Sequence, residues 1–300
     1  MNPEVHIPGW EWYYVAAYFF IGGVSAGAYF IASLAELFGG EKQRAVSHAG
    51  FYLAFPLILL TPPLLIADLG RPERFWHLFL YSGNGLPIFN LQSPLSVGSW
   101  ALLLFGVMAF LSFLDNLVAE NRFRSAPFSH AYNRIPRKAY AVVGAAAGFF
   151  VAGYTGVLLN VTARPFWAAT SPMMGALFIA SAASTGAAAI HLFLLFREKT
   201  ACGHLVAFHR FDRLAKIVEL LLVASLIAFA GKWAAPLLRG GYAILFWGGA
   251  VLLGIVVPLA VNWRVEPVAA APSARANWTA AFALFGGALL RISLIQAGQV

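Results

Sequence analysis

The residues best suited to chemistry in this chain lie together at positions 68–77, directly after a long apolar segment. This stretch contains two acids, two arginines and a histidine: Asp68, Glu73, Arg71, Arg74 and His77. Glycine and a residue that precedes proline both disfavour continued helix, so the backbone should leave the helix near Gly70. A cluster of charges at the end of a membrane span is either an interfacial anchor or part of a functional site.

The composition is that of an integral membrane protein. Apolar residues make up 60% of the chain, charged residues make up 11%, and the mean hydropathy is +0.74, whereas soluble domains carry about 25% charged residues. A single cysteine, Cys202, excludes a disulfide framework and a cluster held by thiolates of this chain alone. We assign the net charge of +8 to loops that face an anionic membrane leaflet rather than to nucleic-acid binding.

Eight segments are long and apolar enough to cross a bilayer, which needs about 20 residues. They predict spans at residues 14–38, 49–67, 94–116, 139–160, 173–196, 214–233, 242–262 and 277–296. Prolines at positions 56, 62 and 63 should bend or break span two near its end. Gly23 and Gly27 predict a close helix approach on span one. We expect one all-α membrane domain over residues 1–300, arranged as two four-helix bundles.

The distribution of lysine and arginine predicts the orientation. Eight spans leave both termini on one side, and the loops on the other side carry most of the basic residues. Because basic loops face the cytoplasm, we expect a prokaryotic inner-membrane protein whose termini and 68–93 loop are periplasmic.

This topology brings several polar residues to one depth on the outer side. Asp68 ends span two there, Tyr14 and Tyr18 lie near the start of span one, Tyr154 lies in the outer third of span four, and Arg164 follows that span. Each residue alone is common at a membrane interface. Together they offer hydroxyl, carboxyl and guanidinium groups in one layer.

The inner half of the predicted membrane domain holds a second set of ionisable residues. They are Glu36, Asp115, Glu219 and His191. Acids and an imidazole at this depth either relay protons or form ion pairs with basic neighbours such as Lys216 and Arg213.

The histidine positions argue against haem. A b-type haem between helices normally needs two axial ligands, usually histidines on different helices. Only His191 lies inside a predicted span, and His48 lies at the inner edge of span two, while the other five histidines are placed in loops or near the N-terminus. Walker A, HExxH and CxxC patterns are also absent, so we expect no haem and no metal site in this chain.

Four segments, in order through the first five spans, resemble the NrfD-like family of polysulfide reductase membrane subunits. They are Phe20–Tyr29, Asp68–Trp76, Ser93–Trp100 and Gly153–Leu159, the last followed by Arg164–Trp167. The resemblance implies a membrane anchor of eight or nine helices without haem. Such a subunit exchanges electrons between a quinone, either menaquinone or ubiquinone, and an iron–sulfur subunit docked on its periplasmic surface. That partner in turn carries a molybdopterin catalytic subunit.

The resemblance also implies a quinone pocket near the docked subunit. The matching positions are Tyr154, the stretch from Tyr14 to Tyr18, and Asp68, with Arg71 and Arg164 nearby. Tyr154 would donate to a quinone oxygen and Asp68 would accept a proton. This sequence departs from polysulfide-reductase-type members, which can carry Asn and His in span one, because it has Tyr14, Ala17 and Tyr18.

A secondary transporter or a proton or ion channel is the alternative class. Transporters typically show inverted repeats and helices broken near the membrane midplane. No convincing repeat is visible, and the span broken by prolines is interrupted near its outer end.

Overall fold

The computed structural model describes residues 11–81, 83, 85–120, 137–162, 164–198, 206–263 and 274–300. Within these residues, eight helices are long and apolar enough to cross a membrane, which confirms the predicted number of spans. Spans one to eight are Trp12–Phe38, Arg44–Ala67, Pro94–Ala119, Arg137–Asn160, Met173–Arg197, Ala207–Leu238, Gly241–Trp263 and Asn277–Ala297.

Contacts between span ends show that the spans alternate in direction and define two faces. Asp68 at the end of span two interacts with Glu11 at the start of span one. The Trp167 indole Nε1, between spans four and five, donates to the Leu294 carbonyl near the end of the sequence at 2.9 Å. We call this side the terminal face. On the other side, the opposite face, Arg137 at the start of span four pairs with Glu36 near the end of span one.

Two spans are interrupted close to the terminal face. Span two consists of the helices Arg44–Leu59 and Thr61–Ala67, and the interruption at Leu60 precedes Pro62 and Pro63, as their lack of a backbone N–H predicts. Span six passes through the 3-10 turn Gly231–Ala234 before its last helical turn. Span seven is π-helical over Ile244–Val256.

The predicted start of span six is wrong. Its helix begins at Val206 rather than at residue 214, so His209 lies in a helix and not in a loop. The first turns carry charged side chains, which lowered the hydropathy of this region. Buried Phe208 nevertheless attaches them to a core cluster that contains residues of spans one, two and five.

Spans one and five form the centre of the protein. Span one packs against spans two, four, five and eight, and span five packs against spans one, two, four, six and eight. The two helices approach closely, since a Cβ added at Gly27 would lie 1.8 Å from the Ala182 carbonyl oxygen. Because span one also contacts two helices of the second half of the sequence, the predicted division into two four-helix bundles is not confirmed.

The connection between spans two and three is folded against span three. It contains the 3-10 helix Pro72–Leu78 and an isolated β-bridge between Leu80 and Pro87. The Trp100 indole donates to the Ile88 carbonyl at 2.7 Å and fixes the end of this loop to the membrane domain.

Some sequence predictions fall outside the described residues. These include the N-terminal segment with His6, the assignments of His130, Cys202 and His204, and many of the basic loop residues behind the predicted orientation, among them Arg122, Arg124, Arg134, Lys199 and Arg264.

We predict that Gly27→Ala destabilises the protein. The added methyl group would meet the backbone of span five, which cannot move aside as a side chain can, and overpacking of this kind costs about 1–3 kcal/mol. The temperature at which the detergent-solubilised protein loses its monodisperse chromatographic peak should fall. Gly106→Ala is the matched control, because a Cβ there meets nothing within 4 Å. Equal stability of the two variants would contradict this account of span packing.

Candidate functional site

Two tyrosines from different spans meet below the terminal face. Tyr18 of span one is 3% exposed, Tyr154 of span four is 9% exposed, and their phenol groups are close enough to interact electrostatically. A Cβ at Gly98 would lie 2.3 Å from the Tyr154 ring, so only glycine leaves room for that ring against span three. The sequence prediction did place these two tyrosines in one layer.

The two hydroxyl groups differ in their hydrogen bonds. The Tyr154 hydroxyl donates to the Pro94 carbonyl at 2.6 Å and thereby joins span four to the start of span three. The Tyr18 hydroxyl donates no hydrogen bond to any residue in the described ranges. The phenol that can donate to a bound molecule without losing a protein acceptor is therefore Tyr18.

Asp68 lies at the edge of the terminal face and contacts the beginning of span one. Its carboxylate accepts the backbone N–H of Glu11, and the Glu11 carboxylate lies close to it. The Tyr13 hydroxyl donates to the Glu11 carboxylate, so the first turn of span one also contacts this pair of acids. Sequence reasoning did not identify Glu11 as a partner of Asp68, because nothing in either segment indicates this contact between the ends of two spans.

Burial and the neighbouring acid change the proton affinity of Asp68. Burial raises the pKa of its carboxyl above the ordinary value, and the Glu11 carboxylate raises this pKa further, while the hydrogen bond from the Glu11 backbone opposes the rise. No ion pair joins Asp68 to an arginine within the part of the sequence that the structure describes. Burial and a like charge therefore act together on Asp68, and the nearby arginines expected from the sequence form no ion pair with it within the described residues.

The remaining residues predicted for this layer lie around it without direct contacts to Asp68. Tyr14 is half-buried and packs against Tyr13, with ring centroids 4.5 Å apart. Arg71 is exposed before the 3-10 helix Pro72–Leu78, and Arg164 is partly exposed before the short helix Pro165–Ala169. Asp68 interacts with Tyr13, which is five residues before Tyr18, so Asp68 lies about 8 Å nearer the surface than the phenol pair along span one.

The predicted inner relay separates into two unconnected parts. Glu36 and Asp115 are both bound by Arg137, at 2.9 and 2.8 Å, and the Ser47 hydroxyl also donates to Glu36. His191 and Glu219 lie among spans five, six and eight and are 8% and 2% exposed. Sequence reasoning did not identify Arg137 as the partner of both acids.

No group of three or more histidine, cysteine, aspartate or glutamate side chains in the described residues is arranged to hold a metal ion. The described residues of the terminal face offer phenol groups, which can form hydrogen bonds, and a carboxyl group, which can exchange protons.

The fold and this layer define a multi-pass, all-helical membrane protein with phenol and carboxyl groups on one face. The chain belongs to the polysulphide reductase NrfD family, whose profile matches residues 4–300. This confirms the resemblance drawn from the four sequence segments and extends it over the last three spans.

Individual relatives are similar over nearly the whole sequence. One of the chains of polysulfide reductase from Wolinella succinogenes is 29% identical over 97% of this protein and 94% of its own length. The protein NrfD homolog of Haemophilus influenzae is 28% identical over 98% of this protein and 96% of its own length. One of the subunits of selenate reductase from Mesobacillus selenatarsenatis is 23% identical over 82% of this protein and 65% of its own length.

We predict that Glu11→Gln lowers the pKa of Asp68. The substitution removes the like charge that favours the protonated carboxyl, while the backbone N–H that binds Asp68 remains. An infrared pH titration of the Asp68 carboxyl band, identified by its loss in Asp68→Asn, should show a midpoint at lower pH. Glu73→Gln, an exposed acid in the same loop, should leave the midpoint in place. A midpoint that rises or stays unchanged in Glu11→Gln would show that Glu11 does not act on Asp68.

Proposed function

We propose that this protein is the quinone-reactive membrane subunit of a multi-subunit oxidoreductase. In this proposal it exchanges electrons between menaquinone or ubiquinone and an iron–sulfur subunit, which carries a molybdopterin catalytic subunit. Two relatives are named as parts of a polysulfide reductase and of a selenate reductase, and such names imply further subunits. The observation that carries the proposal is a buried phenol, Tyr18, which donates no hydrogen bond within the described residues and lies below a carboxyl group of raised pKa, Asp68.

The donor set fits a quinone headgroup. A quinol that gives up two electrons also releases two protons, so its site needs hydrogen-bond partners for the ring oxygens and a proton acceptor. Tyr18 can donate to a ring oxygen without giving up a protein acceptor, and apolar Leu64, Leu65 and Leu158 belong to the cluster around it. The predicted donation by Tyr154 stays a prediction, and it would require this hydroxyl to leave the Pro94 carbonyl.

Asp68 supplies the proton acceptor in this proposal. Its raised pKa lets it hold a proton at a pH where an ordinary aspartate would not, and its partial exposure at the terminal face lets it pass that proton to water. Arg71 and Arg164 remain proposed contributors to the positive potential around the pocket rather than direct partners of Asp68.

The 68–93 loop is the proposed docking surface for the iron–sulfur subunit. It exposes large apolar side chains beyond the end of span two, namely Phe75, Trp76, Tyr81, Leu86, Phe89 and Leu91. Large exposed apolar patches with polar residues around them mark interaction sites. Docking here would bring an electron acceptor to the same face as Tyr18 and Asp68.

The observed helix breaks support this function over the transporter alternative. The interruptions of spans two and six, at Leu60 and Gly231, both lie about two turns from the terminal face. Transporters place such breaks near the midplane, where they bind substrate.

We predict that Asp68→Asn abolishes most quinone-linked turnover. Asparagine keeps the shape of the side chain but cannot accept a proton, and general base catalysis contributes about 10²–10⁴-fold to a rate. Turnover of a soluble quinol by the complex purified through this protein should fall by about 10²-fold or more, with subunit content and quinone affinity retained. Glu41→Gln, an exposed acid on the opposite face, should retain wild-type turnover. Near-normal turnover of Asp68→Asn with an unchanged pH profile would leave Asp68 a purely structural role.

We further propose that both termini are periplasmic, as the distribution of basic residues indicates. A Val300→Cys variant made in a Cys202→Ser background should react with a membrane-impermeant maleimide in intact cells, since Val300 is 82% exposed. Glu41→Cys, on the opposite face with a side chain that is 89% exposed, should react only after lysis. The reverse labelling pattern would invert the orientation and move the docking surface to the cytoplasm.

A further inference from the structure

A group of fully buried charged residues lies between spans one, five, six and eight, away from the terminal-face site. Arg291, Glu219 and Lys216 are 1%, 2% and 3% exposed. Ionisable residues inside a membrane domain are energetically expensive and usually functional. The function proposed above leaves this group without a role.

Arg291 of span eight is bound to two other spans and to its own helix. Its Nε donates to the Phe19 carbonyl of span one at 3.0 Å, and its Nη1 donates to the Ser181 hydroxyl of span five at 3.0 Å and to the Gly287 carbonyl at 2.8 Å. The space for the guanidinium comes from Gly23, because a Cβ there would lie 2.6 Å from Nη2.

Ser181 connects Arg291 to Glu219. Its hydroxyl accepts from Arg291 and lies next to the Glu219 carboxylate, as the Ser184 hydroxyl does. Arg291 and Glu219 attract each other electrostatically but form no ion pair within 4.0 Å. The acid is thus held through hydroxyl groups, which can rotate when its protonation changes.

The group continues from Glu219 towards the opposite face. Lys216 is ion-paired with Asp212 one turn nearer that face. His191 interacts with Lys216, Asp212 and His209, and the imidazole rings of His191 and His209 lie 6.1 Å apart. The His191 Nε2 atom is buried and has no hydrogen-bond partner in the described part of the sequence.

The depths of these residues along their helices show how far the group of buried polar side chains extends across the membrane domain. Arg291 is six residues from the end of span eight, so it lies about 9 Å below the terminal face. The Phe19 carbonyl that it binds belongs to the residue after Tyr18. Asp212 lies in the second turn of span six, near the opposite face. Polar side chains therefore extend from the opposite face to the depth of the phenol pair.

The contacts around Glu219 differ from those of a cluster of direct ion pairs. In the cluster of Glu36, Asp115 and Arg137, the arginine touches both acids directly. Around Glu219 the contact with Arg291 is indirect, and nearer the opposite face the His191 Nε2 atom has no hydrogen-bond partner among the described residues. These are the features expected of a group that exchanges protons.

We propose that Glu219 binds a proton delivered from the opposite face through His191, in step with quinone turnover, and that Arg291 is the residue that positions Glu219 for this transfer. The proton passes from the protonated His191 imidazole to the Glu219 carboxylate through the polar side chains that lie between them, which leaves neutral imidazole and a neutral carboxylic acid, and no electrons move. Arg291 and Lys216 are the charged groups that face Glu219. The inference rests on the proposed function, because quinone chemistry at Tyr18 provides the turnover.

The experiment measures proton uptake from the opposite-face compartment per quinone turned over. The complex purified through this protein is reconstituted in vesicles with a pH-sensitive dye in that compartment. Wild type should change the pH of this compartment during turnover. Glu219→Gln keeps the size of the side chain and its ability to accept a hydrogen bond from the serines, but it cannot titrate, so the ratio of protons to turnover should fall to the passive-leak level.

Two further variants keep every charge and test the positioning role. Ser181→Ala removes the link between Arg291 and Glu219, and Gly23→Ala displaces the guanidinium. Both should lower the ratio. The matched controls Ser33→Ala, a buried serine that donates within span one, and Gly22→Ala, whose Cβ would make only ordinary contacts, should keep it.

A wild-type ratio of protons to turnover in Glu219→Gln would overturn the inference. An equal ratio in all variants at reduced turnover would overturn it as well, because it would indicate a structural role. If Glu219→Gln does not assemble, the ratio of protons to turnover in Ser181→Ala and Gly23→Ala tests the inference: a lowered ratio supports it and a wild-type ratio overturns it. Quinone turnover in wild type without proton uptake from the opposite face refutes this inference alone, whereas absence of quinone turnover in wild type refutes the proposed function.

Discussion

Span one depends on glycine for its central position. Gly27 lets the Ala182 carbonyl of span five approach its backbone, and Gly186 of span five does the same from the other side, since a Cβ there would lie 2.5 Å from the Ala28 nitrogen. Because water is absent from the bilayer core, helices associate through such close packing and through internal hydrogen bonds rather than through the hydrophobic effect. The contact between spans one and five fixes the rotation of span one, and that rotation places Tyr18 beside Tyr154 and gives Arg291 access to the Phe19 carbonyl.

Sequence reasoning identified the features that depend on local composition. Hydropathy was sufficient for eight spans, and the proline pair after Thr61 was sufficient for the interruption of span two. Alternation of span direction then brought Tyr18 and Tyr154 to the same depth. Depth is a property of each helix alone, and for this reason a count of residues from the helix end was enough.

Features that depend on helix rotation and pairing were not predicted. The bond between Arg291 and Phe19 joins residues 272 positions apart, and nothing in either segment indicates which helix faces which. A single arginine within the apolar span eight was visible, and its depth alone signals a buried partner, but the identity of that partner is a tertiary property. His209 was missed because polar residues at the edge of an apolar run lower the hydropathy even where the helix continues.

Tyr18 and Asp68 lie in different environments within the candidate site, and these environments suit hydrogen bonding at Tyr18 and proton exchange at Asp68. Burial among leucines shields the Tyr18 phenol from bulk water, so a hydrogen bond from Tyr18 to a ligand is stronger there than at the surface. The same burial would make a carboxylate costly, and Asp68 accordingly lies about 8 Å nearer the surface, where water can take a proton from it. Glu11 adds a second negative charge at that point, which favours the protonated form of Asp68. A donor that stays in place and an acid that can gain and lose a proton therefore occupy different dielectric environments, and the first turn of span one connects them.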